Sequence, residues 1–449
     1  MEHEFEMYEG YKDSGIEWIG AIPEHWGIKR LKEISKINNL TLSENTSESY
    51  EFDYIDIGNV TYGVKECITE HMIFKNSPSR ARRIVKKGDT IISTVRTYLK
   101  AITSIDEDIS NLIVSTGFAV ISPSNDIFRK FISYLLASDI IVNEICALSK
   151  GVSYPAINSS IIGDLLCTIP SLQEQQAIAD YLDIKTAQID HKIELLTKKS
   201  AKYSEIKKSL INEIVTRGLD KTVAMKDSGI EWIGEIPEHW EVKRFKDLGF
   251  LYSGLSGKSK DDFKDGNKYS RNYITFVNIA NNQNISPNYM KKVIIYPYEK
   301  QNKIKQNDLF ILMSSENYED IGKSALLKID LIDTYLNSFC KGIRFTKSYI
   351  SPNFINYLLI SKTYRNSISI EGKGFTRINL KIEKINNLVI VIPPLQEQQA
   401  IANYLDTKTT QMDHIIATIN TEIEKLKELR KTLINDVVTG KIKVTGEEE

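Results

Sequence analysis

The chain has 449 residues, too many for one ordinary core and suited to two or three domains. Its 58 Lys+Arg against 59 Asp+Glu leave a net charge of −1, so any attraction to nucleic acid must be local. A hydrophobic content of 41% with no long apolar run argues against a membrane span. The acidic opening MEHEFEMYEGY lacks a signal-peptide layout, and Cys67, Cys146, Cys167 and Cys340 form no CxxC pair. The expected compartment is therefore reducing and cytoplasmic, without a structural zinc.

In chain order, the first feature is KDSGIEWIGAIPEHWGIKRLKEI, Lys12–Ile34. It returns almost unchanged as KDSGIEWIGEIPEHWEVKRFKDL, Lys226–Leu248. All four tryptophans (Trp18, Trp26, Trp232, Trp240) and the pair His25 and His239 lie in these copies. Trp at the start of a domain points to packing, or else to a docking surface met by both halves. The body that follows reads as α/β. IVKKGDTIIST and NLIVSTGFAVI are rich in Val, Ile and Thr, which favours strands. Phe128–Ile145 has helical apolar spacing.

The next block, IPSLQEQQAIADYLDIKTAQID (Ile169–Asp190), returns as IPPLQEQQAIANYLDTKTTQMD (Ile392–Asp413). Weaker echoes keep the same order between the blocks: YIDIGNV with YITFVNI, KKGDTIIS with KQNDLFIL, FISYLLAS with FINYLLIS, and KGVSYPAIN with KGFTRINLK. The chain is thus a tandem duplication of about 1–220 and 221–449, each half with an opening block, a diverged body and a closing block.

From each closing block an apolar seam runs at heptad spacing. Leu182, Ile189, Leu196, Tyr203 and Leu210 form one row; Leu405, Met412, Ile419, Leu426 and Leu433 repeat it. No Pro or Gly interrupts either run before Gly218 and Gly440. This predicts two long helices, each a rod of about 65 Å, paired as a coiled coil in a parallel or antiparallel sense. Lys207 and Arg430 are polar seam positions that either fix register or sit at fraying ends.

Catalytic signatures are missing. There is no GxxxxGK[ST], no GxGxxG opening a helix, no HExxH and no GxSxG. No Asn-Pro-Pro-aromatic tetrad occurs, and Asp106–Asp108 and Asp261–Asp262 read as solvated surface. The bodies instead hold basic runs: SRARRIVKKGD and STVRTYLK, then KDGNKYSRNY, KKVIIYPYEK and KGFTRINLK. Cations neutralise phosphates while Arg, Asn, Ser and Thr read base edges, although any single run could be a solvated loop.

Taken together, DSGIEWIGxIPEHW and IPxLQEQQAIAxYLD, each present twice in the same order, with the Lys87–Asp89 turn and KGFTRINLK (Lys373–Lys381), resemble the specificity subunit of type I restriction–modification systems. KGVSYPAIN departs from the usual KGFTRINLK, which weakens the case for Tyr154 relative to Arg377. The resemblance implies two α/β target recognition domains in tandem pseudo-repeat, separated by two long helices forming an antiparallel coiled coil. The expected division is 1–170 and 221–393 for the recognition domains, with 171–220 and 394–449 for the spacer helices, linker and tail. It implies a non-catalytic chain bound to double-stranded DNA with a bipartite site, to two methyltransferase subunits and to two restriction subunits. S-adenosylmethionine and ATP with Mg would sit in those partners and no cofactor in this chain. Aligned loop positions give the candidate DNA contacts: Asn59, Tyr62, Ser93, Arg96, Lys150, Ser153 and Tyr154 in the first half, and Asn278, Asn281, Ser314, Asn317, Lys373, Thr376 and Arg377 in the second. Asn59 and Asn278 have a rival reading as shared turn residues. Two rival functions stand beside this one. One is a two-headed coiled-coil scaffold that binds proteins only; the other is a methyltransferase or nuclease with unrecognised motifs.

Overall fold

The computed structural model describes residues 7–61 and 67–444. The chain forms two compact units, one of residues 1–197 with 421–449 and the other of residues 198–420.

Unit 1 opens on a hairpin, Tyr11–Asp13 against Ala21–Pro23. The strand Gly27–Arg30 then pairs antiparallel with Leu166–Ile169, the strand that leads into the closing block. Opening and closing blocks are therefore one piece of sheet, and the body is an excursion between them. Unit 2 repeats this with Met225–Asp227 against Glu235–Pro237, and Glu241–Arg244 against Val389–Ile392. The body of unit 1 carries two four-stranded sheets among the described residues. The first orders Glu70–Ile73, Glu51–Ile55, Leu112–Ser115 and Ala81–Ile84; the second orders Ser35–Ile37, Phe118–Pro123, Thr90–Ser93 and Ile102–Ser104. Glu51–Ile55 runs parallel to Leu112–Ser115, and the parallel pair Ser270–Ile274 with Thr334–Leu336 is its counterpart in unit 2. Thr90–Ser93, Leu112–Ser115 and Leu309–Leu312 are buried throughout, so their apolar residues follow one another instead of alternating with polar ones.

The helix expected over Phe128–Ile145 is two helices, Arg129–Ala137 and Asp139–Leu148. Ser138 breaks it: its backbone is extended and its hydroxyl accepts from the Ile141 amide, an N-cap that starts the second helix. Ser361 does the same between Pro352–Ile360 and Lys362–Ile370. The apolar pattern is continuous on both sides of the serine, so periodicity alone joins the two helices.

The two long helices span Leu172–Arg217 and Leu395–Val438. They stop where Gly218 and Gly440 take positive φ, +79° and +75°. Seam residues are buried or half-buried while most of the intervening positions are exposed. In unit 1, Asp190 meets Arg430 and Lys192 meets Glu422. In unit 2, Ser200 meets Asn420 and Lys207 meets Asp413. Rising numbers on one helix meet falling numbers on the other, so the pairing within each unit is antiparallel.

Each core is built from both long helices. In unit 1, Trp26, Leu31, Phe131 and Leu135 pack with Ile178 and Leu182 of the first helix and with Leu433, Ile434, Val437 and Val438 of the second. In unit 2, Trp240, Phe245, Phe354 and Leu358 pack with Ile401 and Leu405, and with Ile211, Ile214 and Val215 from the first helix. A fully buried Leu or Ile contributes about 1.5–3 kcal/mol, so these helix ends are substantial parts of each core.

Candidate nucleic-acid interface

The repeated residues turn inward. Glu174, in the first turn of the first long helix, accepts from the Ser171 hydroxyl and from Trp26 Nε1 (3.3 Å), and contacts His25 Nε2 (2.7 Å). Burial pushes its carboxyl up, but the bonds from His25, Ser171 and Trp26 outweigh this and hold it below its ordinary value. Glu397 makes the same clamp with Trp240 (3.1 Å) and His239 (2.6 Å). One residue on, buried Gln175 accepts from the Phe128 amide and donates to Pro170 O; Gln398 does so with Ser351 and Pro393. Asp183 takes the hydroxyl of Tyr134, and Asp406 that of Tyr357 (2.7 Å). The PEHW and QEQQ blocks thus clamp opening block to closing block twice, while Gln175, Asp183 and their counterparts tie that frame to the body, which settles Trp26 and Trp240 as packing residues. Trp18 is half-buried against the unit 1 core, and Trp232 sits edge-on to Tyr364 at 5.0 Å.

The diverged bodies place their loops elsewhere. In unit 1, the segment after Thr90–Ser93 meets the segment 150–156. Val95 bridges Ala156, and the Ile157 amide donates to Thr94 O (2.8 Å). Thr94 in turn bonds Gly117, whose missing Cβ would lie 2.5 Å from Ile57 Cδ1. The turn Ile57–Asn59 therefore joins the same surface. Lys150 and Ala156 exchange both backbone hydrogen bonds at 2.9 Å and close a tight hairpin whose tip is Gly151-Val152-Ser153-Tyr154. Arg96, itself in the left-handed region, lies over the Tyr154 ring at 4.9 Å. Such an exposed cation–π pair contributes about 0.5–1 kcal/mol and presents a flat, cationic face.

Unit 2 builds the same hairpin. Lys373 and Asn379 exchange backbone bonds of 3.0 and 2.9 Å around Gly374-Phe375-Thr376-Arg377. Ser314–Ser315 pairs with Ile378–Asn379, as Val95 does with Ala156. The cation and the ring trade places: Arg377 leaves the hairpin to lie over Phe339 at 4.3 Å. Gly374 is required here. Its φ is +144°, and a Cβ would fall 2.0 Å from Arg377 O.

Of the expected contacts, Arg96, Lys150, Ser153 and Tyr154 come together and are exposed, as are Lys373, Thr376 and Arg377. Four others serve the loops themselves. Ser93 is buried and donates to Val95 O (2.6 Å). Asn59 is tied to Ile68 O (2.9 Å), and exposed Asn317 to Asp320. Asn278 is corrected outright: it is wholly buried, donates to Ser286 O (2.8 Å) and accepts from the Ser286 amide (3.0 Å). With donor and acceptor both engaged inside the loop it is a turn residue, not a surface contact. Asn281 is exposed at the end of the short helix Phe276–Asn281. Ser314 Oγ is shut off from solvent without a hydrogen-bond partner among the described residues. Tyr62 lies outside the described residues. The basic run at Arg80–Arg83 is partly committed, with Arg80 on Asp56 (2.6 Å) and Arg82 over Phe74.

Sequence reasoning passed over Val152 and Phe375. Both are fully exposed, at 102% and 105%, and occupy equivalent hairpin tips. An apolar residue after a glycine, kept apolar in both copies, was the available signal. Unit 1 also has a cleft of about 560 Å³ lined by Lys130, Tyr134, Asp183, Asp190 and Arg430. Two of its cations are paired within the fold, Lys130 with Asp183 and Arg430 with Asp190. Among the described residues no group of three or more His, Cys, Asp or Glu could hold a metal, and no single helix is long and apolar enough to cross a membrane.

Residues 23–202 and 237–425 each match the family described as "Type I restriction modification DNA specificity domain". The MjaVIII specificity subunit of a type I restriction enzyme from Methanocaldococcus jannaschii is 25% identical over 301 residues, 66% of each chain. The putative MjaX specificity subunit of the same organism is 25% identical over 448 residues, covering 95% of this chain and 96% of that one. A chain from a structure of type I R-M complex assembly and conformational transition superposes with a TM-score of 0.74 at 19% identity, over 93% of this chain and 98% of that chain, a likeness of fold. With two matched domains on two equivalent scaffolds, the protein belongs to the type I restriction–modification specificity family, a DNA-specificity component rather than a catalytic subunit.

Proposed function

We propose that each unit reads one half of a bipartite site in double-stranded DNA. The observation that carries this is one backbone with two sets of side chains. Lys150-Gly151-Val152-Ser153-Tyr154 and Lys373-Gly374-Phe375-Thr376-Arg377 share a hairpin, its closing bonds and an adjoining cation–π pair, yet differ where they face solvent. A preserved frame with exchanged surface residues suits two readers of different base sequences. Phosphate contacts by Arg96, Lys150 and Lys373 would position each reader, and hydrogen bonds from Ser153, Thr376 and Arg377 would select bases.

In this reading 1–170 and 221–393 are the recognition domains. The long helices set the gap between half-sites and dock two methyltransferase subunits, with restriction subunits joining the complex in the cytoplasm. S-adenosylmethionine and ATP with Mg are held by those partners. The test is a methylome. The chain is expressed with its neighbouring methyltransferase subunit in a methylation-free bacterium, and N6-methyladenine is mapped by single-molecule sequencing. A split motif that disappears when this chain is omitted is expected. An assembled, cofactor-binding complex that leaves no motif would overturn the proposal in favour of a scaffold.

A further inference from the structure

An isolated apolar side chain on a surface needs no explanation, but Val152 and Phe375 are not isolated. Each stands fully exposed at the same place in its own unit, on a hairpin locked by a positive-φ glycine and two backbone bonds. A mobile loop could fold such a side chain away; this turn holds it out. Cations and hydroxyls stand exposed on or beside each hairpin: Lys150 and Ser153, with Arg96 over the adjoining Tyr154, in unit 1, and Lys373 and Thr376, with Arg377 over Phe339, in unit 2. Beneath Phe375, buried Ile378 and Leu380 fix the hairpin to the body, and Arg377 lies back on Phe339. An apolar point beside exposed cations matches a partner with anionic edges and an apolar interior. Duplex DNA has this character, phosphates outside and stacked bases within.

We propose that Phe375 is a wedge. It enters one half-site, packs against a base step and partly unstacks it, while the neighbouring cations hold the flanking phosphates. Val152, smaller and without a π face, contacts the other half-site without unstacking it. The inference rests on the DNA-reading proposal and assigns the tip a task distinct from hydrogen-bonded base selection.

The full chain, assembled with its methyltransferase subunits, is bound to a duplex carrying the mapped site. 2-Aminopurine replaces one base at a time in both half-sites, leaving the methylated adenine natural. Fluorescence should rise at one step in one half-site only. Phe375→Ala should abolish that rise and weaken binding about tenfold, in line with the loss of a stacked aromatic. Phe375→Leu should keep part of it. Val152→Phe should create a second rise in the other half-site. Both tips touch only solvent, so these changes leave the fold intact. An equal rise with wild type and Phe375→Ala overturns the wedge, as does no rise at any position on a saturated duplex. A Phe375→Ala defect in assembly without DNA also overturns it, because it puts the ring against a protein. An absent methylation motif would instead sink the DNA-reading proposal itself, so the two failures are told apart.

Discussion

Lys207 bonds both carboxylate oxygens of Asp413, 206 residues further along the chain, at 2.7 and 2.6 Å. In unit 1, Arg430 Nε stands 2.9 Å from Asp190 Oδ1, a charge contact too far off-line for a hydrogen bond. The two pairs occupy matching places in the two repeats. A polar residue in each seam thus finds a carboxylate across the observed antiparallel pair, well inside both helices, which favours a register role over fraying ends. Both pairs are part-exposed, so the coupling between Lys207 and Asp413 should be about 0.2–1 kcal/mol. A double-mutant cycle with Lys207→Ala and Asp413→Ala, read by urea unfolding, measures it. The charge exchange K207D/D413K should recover most of what K207D loses.

The carboxylates that clamp the frame, to itself at Glu174 and to the body at Asp406, make stability depend on acid. Glu174 and Asp406 both lie below their ordinary values. At Asp406, burial pushes up and is outweighed by Lys328, Tyr357 and Asn353. A depressed carboxyl contributes stability that is complete above its unfolded value, about 4, and is lost as pH falls through the folded value. The urea midpoint should therefore hold from pH 7 to about 5 and drop steeply below 4. Glu174→Gln should lower the midpoint at pH 7 and flatten the acid limb. An unchanged acid limb would show that the clamp does not titrate with folding.

Gly440 ends the second long helix with φ +75°, and a Cβ there would stand 2.4 Å from Pro23 Cδ and 3.1 Å from Trp26. Gly440→Ala should cost about 1–3 kcal/mol, from backbone strain and the displaced proline. A differential scan should show the loss. Gly229, where a Cβ meets nothing within 4 Å, should lose less on the same change.

Arg377→Ala should relax base discrimination in one half-site and leave the other unchanged, by about 1–3 kcal/mol if the guanidinium reads a guanine. The measurement is competition binding of the assembled complex with single-substituted duplexes. Weakening that is the same for every duplex, with a shallower salt dependence, would mark a phosphate contact instead.

Seven residues inserted at both 197/198 and 420/421 lengthen each helix by about 10 Å. The methylated motif should keep both half-sites and widen its gap by up to about three base pairs. A changed half-site would show that the helices take part in reading bases.

The duplication was legible because the repeated residues perform identical internal tasks. Glu174 and Glu397, Gln175 and Gln398, and Asp183 and Asp406 each close the same bonds twice, which leaves them no freedom to diverge. The two hairpins stood out for the opposite reason, since KGVSYPAIN and KGFTRINLK share a Lys-Gly start and then diverge. Other features lie beyond pattern. Asn278 looks like any polar loop residue until the return of the chain at Ser286 is seen. Ser138 caps a helix in the middle of an unbroken apolar period. For Val152 and Phe375 the pattern offered only an apolar residue after a glycine in both copies; their full exposure comes from the geometry of the hairpin.

The contribution of both long helices to each core also has a consequence in time. Unit 2 is a continuous stretch, residues 198–420, and already holds Ile211, Ile214 and Val215 when its body leaves the ribosome. Unit 1 precedes unit 2 in the chain but lacks Leu433, Ile434, Val437 and Val438 until the last turns of the second helix are made. Domains of a nascent chain ordinarily complete themselves from the N-terminus onward. Here the order is reversed: of the two units the one begun first is completed last, and until then the apolar surface around Trp26 waits for the last turns of the second helix.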